Sequence, residues 1–171
     1  MKRATKRRAL TLLELVTATA LLATLVTAVA VLLRGAHAAW QGHDNDLARL
    51  EAAHATLRHL VRNIRQAQAV SAVSPAGDLS GALSIVMPSG QTYAWDHDDV
   101  AERVNFGITS ASDLLAEEIS ELNFVGYRAD GTTSTTAVEE IQSIDCQVTV
   151  ELPRQAGGSR TVITRAWLRS W

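Results

Sequence analysis

The sequence predicts an α+β fold, with one long N-terminal helix packed on a small antiparallel β-sheet domain. Three observations carry that expectation. Residues 10–33 form a 24-residue run without proline or glycine and with a single charge, Glu14. Residues 47–70 then keep Leu47, Leu50, Leu57, Leu60, Val61, Ile64 and Val70 at mostly helical spacings, as a helix with one buried face does. Beyond residue 71 the apolar period falls to two and turn residues recur, the pattern of half-buried strands.

The N-terminal segment comes first. The chain has 171 residues, 47% of them hydrophobic and 20% charged, with a formal net charge of -2. That length suits a membrane segment and one domain of about 100 residues. Five of the 16 basic residues, Lys2, Arg3, Lys6, Arg7 and Arg8, precede the apolar run, which leaves 11 basic against 18 acidic residues in the remainder. An acidic remainder, and a basic cluster that has no aromatic partners, argue against a nucleic-acid partner. A helix of about 20 apolar residues crosses a bilayer, so residues 10–33 can span one. Thr11, Thr17, Thr19, Thr24 and Thr27 are tolerable there because their hydroxyls can bond back to helix carbonyls. Basic residues on the N-terminal flank place that end in the cytoplasm and residues 34 onward on the far side. Trp40, just past the run, fits an interfacial anchor.

Glu14 breaks the pattern. A carboxylate costs about 2.5–3.5 kcal/mol at the centre of a membrane helix and less near its end. A secretory signal peptide is one competing reading, since Ala36, His37 and Ala38 form a small-x-small cleavage site that would leave Ala39 as the mature terminus. Its apolar core should, however, be roughly 7–15 residues long. That reading predicts an exported soluble enzyme or binding protein.

The order Lys6-Arg7-Arg8-Ala9, then Leu10-Thr11-Leu12-Leu13-Glu14-Leu15 and an uninterrupted apolar helix, resembles the class III signal of type IV pilins and pseudopilins. The resemblance implies cleavage by a prepilin peptidase between Ala9 and Leu10 and methylation of the new amine on Leu10. Glu14 becomes the fifth residue of the mature chain. Ala9 stands where glycine is commoner and Leu10 where phenylalanine is commoner. In that family the glutamate pairs with the terminal amine of a neighbouring subunit, so Glu14 is expected to serve subunit assembly. Residues 1–9 are then a cytoplasmic leader, 10–33 the transmembrane half of the helix, 34–70 its extracytoplasmic half and 71–171 a periplasmic pilin-like domain.

Gly35 and Gly42 are the weak points of the helix, each costing about 1 kcal/mol relative to alanine. On its second half Glu51, His54, Arg58, Arg62 and Arg65 lie away from the apolar face. The three arginines read as a solvated or partner-facing side rather than a lipid or nucleic-acid site. Residues 74–78 read as a loop. Residues 82–87 and 91–95 read as a hairpin across Pro88-Ser89-Gly90. Residues 121–128 place Leu122, Phe124 and Gly126 on one face before the turn Ala129-Asp130-Gly131. Residues 132–136 read as a mobile loop. Residues 141–152 alternate with Ile144, Cys146, Val148 and Val150 inward, and 160–169 form a last strand. Four or five antiparallel strands on one helix follow.

Residues 113–131, together with the two strands after them, are similar in spacing to minor pseudopilins of the J class in type II secretion and to related minor type IV pilins. That resemblance implies a single-pass protein of the bacterial inner membrane that joins a periplasmic pseudopilus, in a tip complex. Its partners would be other pseudopilins, the prepilin peptidase and the assembly platform. The nearest alternative is a minor pilin of a type IV pilus or DNA-uptake fibre.

No enzyme motif occurs: there is no G-x-S-x-G, no H-E-x-x-H and no phosphate-cradling glycine loop. The single Cys146 excludes an intramolecular disulfide and any CxxC site. His54 and His59 fall on different helix faces. Asp96, His97, Asp98 and Asp99 are the richest polar cluster, and calcium is their candidate ligand; solvated carboxylates are the plainer expectation. Trp95 and Trp167 are expected in the core, and Trp171 is open between core and surface. The chain is thus read as a non-enzyme without metal or cofactor.

Overall fold

The computed structural model describes residues 11–152 and 158–169. Thr11 starts helix α1 (Leu12–Ile64): its hydroxyl accepts the Glu14 N–H at 3.3 Å and its carbonyl accepts the Leu15 N–H at 3.1 Å. This is an N-cap, and a threonine with glutamate three residues on is the sequence signature of a capping box. Contacts divide the chain into two units, one ending at Gly42 and one beginning at His43. Helical structure is unbroken at Gly35 and at Gly42.

In the first unit every described residue up to Gln41 is exposed. Thr17, Thr19, Thr24 and Thr27 donate their hydroxyls to the carbonyls of Glu14, Val16, Leu21 and Ala23 at 2.8–3.0 Å. The hydroxyls of these four threonines are therefore satisfied within the helix, as the sequence predicts.

In the second unit α1 becomes amphipathic and buries Ala53, Thr56, Leu57, Leu60 and Ile64. It ends at Ile64, six residues before the end expected from apolar spacing. Val70 lies six positions after Ile64, off the helical face, and the backbone turns out over Gln66 and Ala67, whose N–H groups reach Asn63 and Ile64. Gln68 N–H then bonds Val86 O at 2.8 Å, which commits the chain to a sheet.

The strands form two antiparallel meanders. The first holds β1 (Ala69–Val73), β2 (Leu83–Val86), β3 (Thr92–Asp98), β4 (Arg103–Ile108) and β5 (Asp113–Glu117), in that spatial order. The second holds β6 (Glu121–Tyr127), β7 (Ser143–Leu152) and β8 (Gly158–Trp167), again in sequence order. Among the described residues, eight strands replace the four or five expected. The omitted ones, β1, β4 and β5, are short, and β5 buries no side chain fully. Leu83, Ile85, Trp95 and Val104 of the first sheet join Leu122, Phe124, Ile144, Cys146, Val148 and Val150 of the second and the α1 face in one core.

The hairpin at residues 82–95 forms as its turn residues predict: Gly90 sits at φ +82°, and Met87 N–H bonds Gln91 O at 2.8 Å. The sheets meet at Gly81, whose N–H donates to Leu122 O at 2.7 Å. A Cβ on Gly81 would lie 2.7 Å from that same oxygen, so only glycine admits this approach.

Residues 132–136, expected to be a free loop, are tied down. Asp130 accepts the N–H groups of Thr132 and Thr133 at 3.0 Å, and Thr135 N–H reaches Gly126 O at 2.9 Å. The Thr133 hydroxyl, which donates to Asp130 Oδ2 at 2.5 Å, and then the Thr133 and Thr132 N–H groups hold the Asp130 carboxyl well below the usual carboxylate range.

Candidate functional site

The apolar half of α1 is the first candidate. By length and composition it can cross a membrane, and none of its apolar window is buried. Large side chains on all sides of the helix stay exposed, among them Leu21 at 71% and Leu32 at 72%. A helix apolar all round has no solvated face and calls for an apolar surround on every side. Trp40 is 72% exposed close beyond this stretch, a position consistent with the interfacial anchor.

Glu14 lies in the first turn of α1, exposed, and forms no ion pair among the described residues. Its position has a local reason that sequence reading missed: an acidic side chain in the first turn complements the helix dipole. The signal for it, Thr11-x-x-Glu14, was legible. Ala9 and Leu10, the expected cleavage and methylation positions, lie outside the described residues, as does Trp171.

The acidic cluster at the end of β3 does not converge. Strand alternation turns Asp96 and Asp98 outward while His97 points in, 3% exposed. His97 Nε2–H donates to Ile119 O at 2.8 Å, and its Nδ1 is buried without a partner. Asp98 instead accepts the N–H groups of Val100 and Ala101 at 3.1 and 3.0 Å, closing the turn into β4. Among the described residues no group of three or more His, Cys, Asp or Glu side chains is placed to hold a metal ion.

The remaining chemistry-bearing residues have structural surroundings. Cys146 is fully buried, and burial first, then Asp145, pushes its thiol far up, so the thiolate that would attack or ligate is suppressed. His59, unlike exposed His54, sits in an aromatic cluster with Trp95 and Phe106. The Trp95 indole N–H donates to His59 Nδ1 at 3.3 Å, and partial burial, then Arg62, lowers the His59 pKa. Trp95 is 1% exposed, the core position its sequence predicts.

Trp167 is not in the core: it is 51% exposed. Its neighbour Ala166 takes the inward position on β8, so alternation sends the indole to the outer face, where it lies beside Gly131. Arg165 is clamped nearby, with Nε and Nη2 on the two Asp145 oxygens at 2.5 and 2.8 Å. Its Nη1 donates to Gly131 O at 2.7 Å.

A groove of about 630 Å³ lies between α1 and β8. Leu57, Val61, Val162 and Ile163 give it an apolar floor, and Arg58, Arg62 and Arg65 line its helical wall. These are the arginines that the sequence places away from the core. None of the three forms an ion pair among the described residues.

Comparison with protein-family models, with characterised proteins and with solved structures finds no match to this chain.

Proposed function

We propose that this chain is a minor pilin-like subunit, a pseudopilin of the J class, which assembles into the periplasmic pseudopilus of a type II secretion system. The observation that carries the reading is Glu14 in the first turn of an all-round apolar helix that continues into an α+β unit. Leader cleavage after Ala9 would set a positive amine on Leu10, four residues before Glu14. In lipid, the carboxylate of one subunit and the amine of the next each relieve the other's burial. Glu14 thereby fixes the axial register of neighbouring helices, while the apolar side chains supply the shared packing surface. Stacking of this kind is heterologous and open, as a fibre requires.

The alternative of export with cleavage after Ala38 fits less well. Residues 36–38 lie within α1, and the apolar run before them is longer than a signal-peptide core. Partners under the proposal are other pseudopilins, the prepilin peptidase and the inner-membrane assembly platform.

The test is Glu14→Gln in cells that carry the cognate secretion machinery. The variant should insert in the membrane at wild-type level yet lose cross-linking to neighbouring pseudopilins through α1 by about tenfold or more, the scale of a lost buried charge pair. Wild-type cross-linking would remove the assembly role of Glu14.

A further inference from the structure

We infer that the groove between α1 and β8 is a docking site for an acidic, extended segment of a partner protein, which adds to the free edge of β8 as a further strand. The inference rests on this groove alone and is independent of the pilin-like reading.

Two features of different origin meet there. The first is a sheet edge. β8 is ten residues long and pairs with β7 only, so its outer row of backbone donors and acceptors has no strand partner among the described residues. An open edge of that length is a template for strand addition. Natural sheets often blunt such edges with proline, yet β8 contains none. Ile163 is exposed beside it, which gives an incoming strand apolar contact.

The second feature is charge. Arg58, Arg62 and Arg65 follow one another at four and three residues, so they stand in one row along the helix. The row faces the groove in a molecule whose remainder is acidic, whereas Arg49, Arg103, Arg128 and Arg165 are already paired with carboxylates. At about 1.5 Å per residue, neighbouring arginines in the row are roughly 4.5–6 Å apart along the helix. Carboxylates on one face of a strand recur about every 6.7 Å. A strand with an acidic residue at alternate positions therefore matches the row, and its opposite residues can be apolar. The guanidinium fork suits carboxylates in particular.

Anionic lipid shares the negative charge and would satisfy the arginines. It offers no ladder of backbone groups to β8, and the groove sets the arginines beside just such an edge. That difference favours a peptide segment.

The experiment uses the full chain in neutral detergent micelles and a fluorescein-labelled heptapeptide of alternating glutamate and valine. Fluorescence anisotropy should show saturable binding that weakens as salt rises from about 50 to about 500 mM. The double variant Arg62→Glu with Arg65→Glu should bind at least about tenfold more weakly, and Arg62→Lys with Arg65→Lys should retain most of the affinity. Hydrogen exchange of the β8 amides, residues 160–166, should slow on binding in the wild type. A lysine–valine heptapeptide should not bind.

Four results would overturn the inference. One is peptide binding without protection of β8, and another is equal binding by the charge-reversed variant. The third is binding to vesicles containing about 30% phosphatidylglycerol through the same arginines with none to the peptide, which makes the groove a lipid contact. If the unlabelled chain instead self-associates and the peptide fails to compete, the groove is filled by a second copy and the acidic-partner assignment falls.

Discussion

The two halves of α1 differ in what surrounds them, and the difference separates a face that this chain's own core covers from one that it leaves exposed. From His43 to Ile64 one face of the helix is buried and the opposite face carries arginines. From Leu12 to Gln41 nothing is buried, although the stretch is far more apolar. Apolar surface that the chain does not cover itself must be covered by something else. The second half is explained by this chain's own core. The first half is not covered by that core, and by length and composition it can cross a membrane.

Core and apolar-helix substitutions should therefore behave oppositely, and this is the largest effect. Leu60→Ala, at a site with no exposure, should cost the α+β unit about 2–5 kcal/mol in denaturant unfolding of the full chain in micelles. Leu25→Ala should change that same transition by less than about 0.5 kcal/mol. Equal losses at the two sites would mean that the halves fold as one unit.

A smaller effect tests the junction of the two sheets. Gly81→Ala places a methyl group against Leu122 O and should cost about 1–3 kcal/mol, read as a lowered unfolding midpoint with an unchanged slope. An unshifted midpoint would show that the sheets separate easily at this point.

The smallest effect belongs to His59. Its folded pKa lies below the ordinary 6.5, because burial and then Arg62 disfavour the proton. The unfolded chain then takes up that proton first as pH falls. The neutral ring's contribution is complete above about pH 6.5 and declines as pH drops toward the folded pKa. Melting temperatures between about pH 7.5 and 5.5 should fall less steeply in His59→Gln than in the wild type. Parallel slopes would move the acid sensitivity to other groups.

Much of the fold was legible because period and turn chemistry agreed. Leu122, Phe124 and Gly126 face the core as alternation requires, and so do Ile144, Cys146, Val148 and Val150. The hairpin at Gly90 follows from its Pro-Ser-Gly turn. The helix end was not legible: no proline or glycine marks it, and the bond from Gln68 to Val86 that closes it is long-range. β4 carries a period-two signal in Val104 and Phe106 that could have been found. β5 carries none, since an exposed edge strand needs no buried face.

The sites divide in the same way. Glu14 stood out at once because charge in an apolar run is costly, whereas its cap at Thr11 required counting three residues back. The arginine row was visible by spacing. That it faces an open strand edge depends on β8 returning beside α1 from about a hundred residues away, and no local pattern encodes that. Trp167 was misplaced because a large aromatic is usually core; here the parity of β8 decides, and Ala166 takes the inward position.

The most direct test of the central claim is the mass and N-terminal sequence of the chain recovered from membranes, with and without a prepilin peptidase. The expected result is a chain beginning at N-methylated Leu10, and a full-length chain when the peptidase is absent. A soluble chain beginning at Ala39, formed in either case, would contradict it.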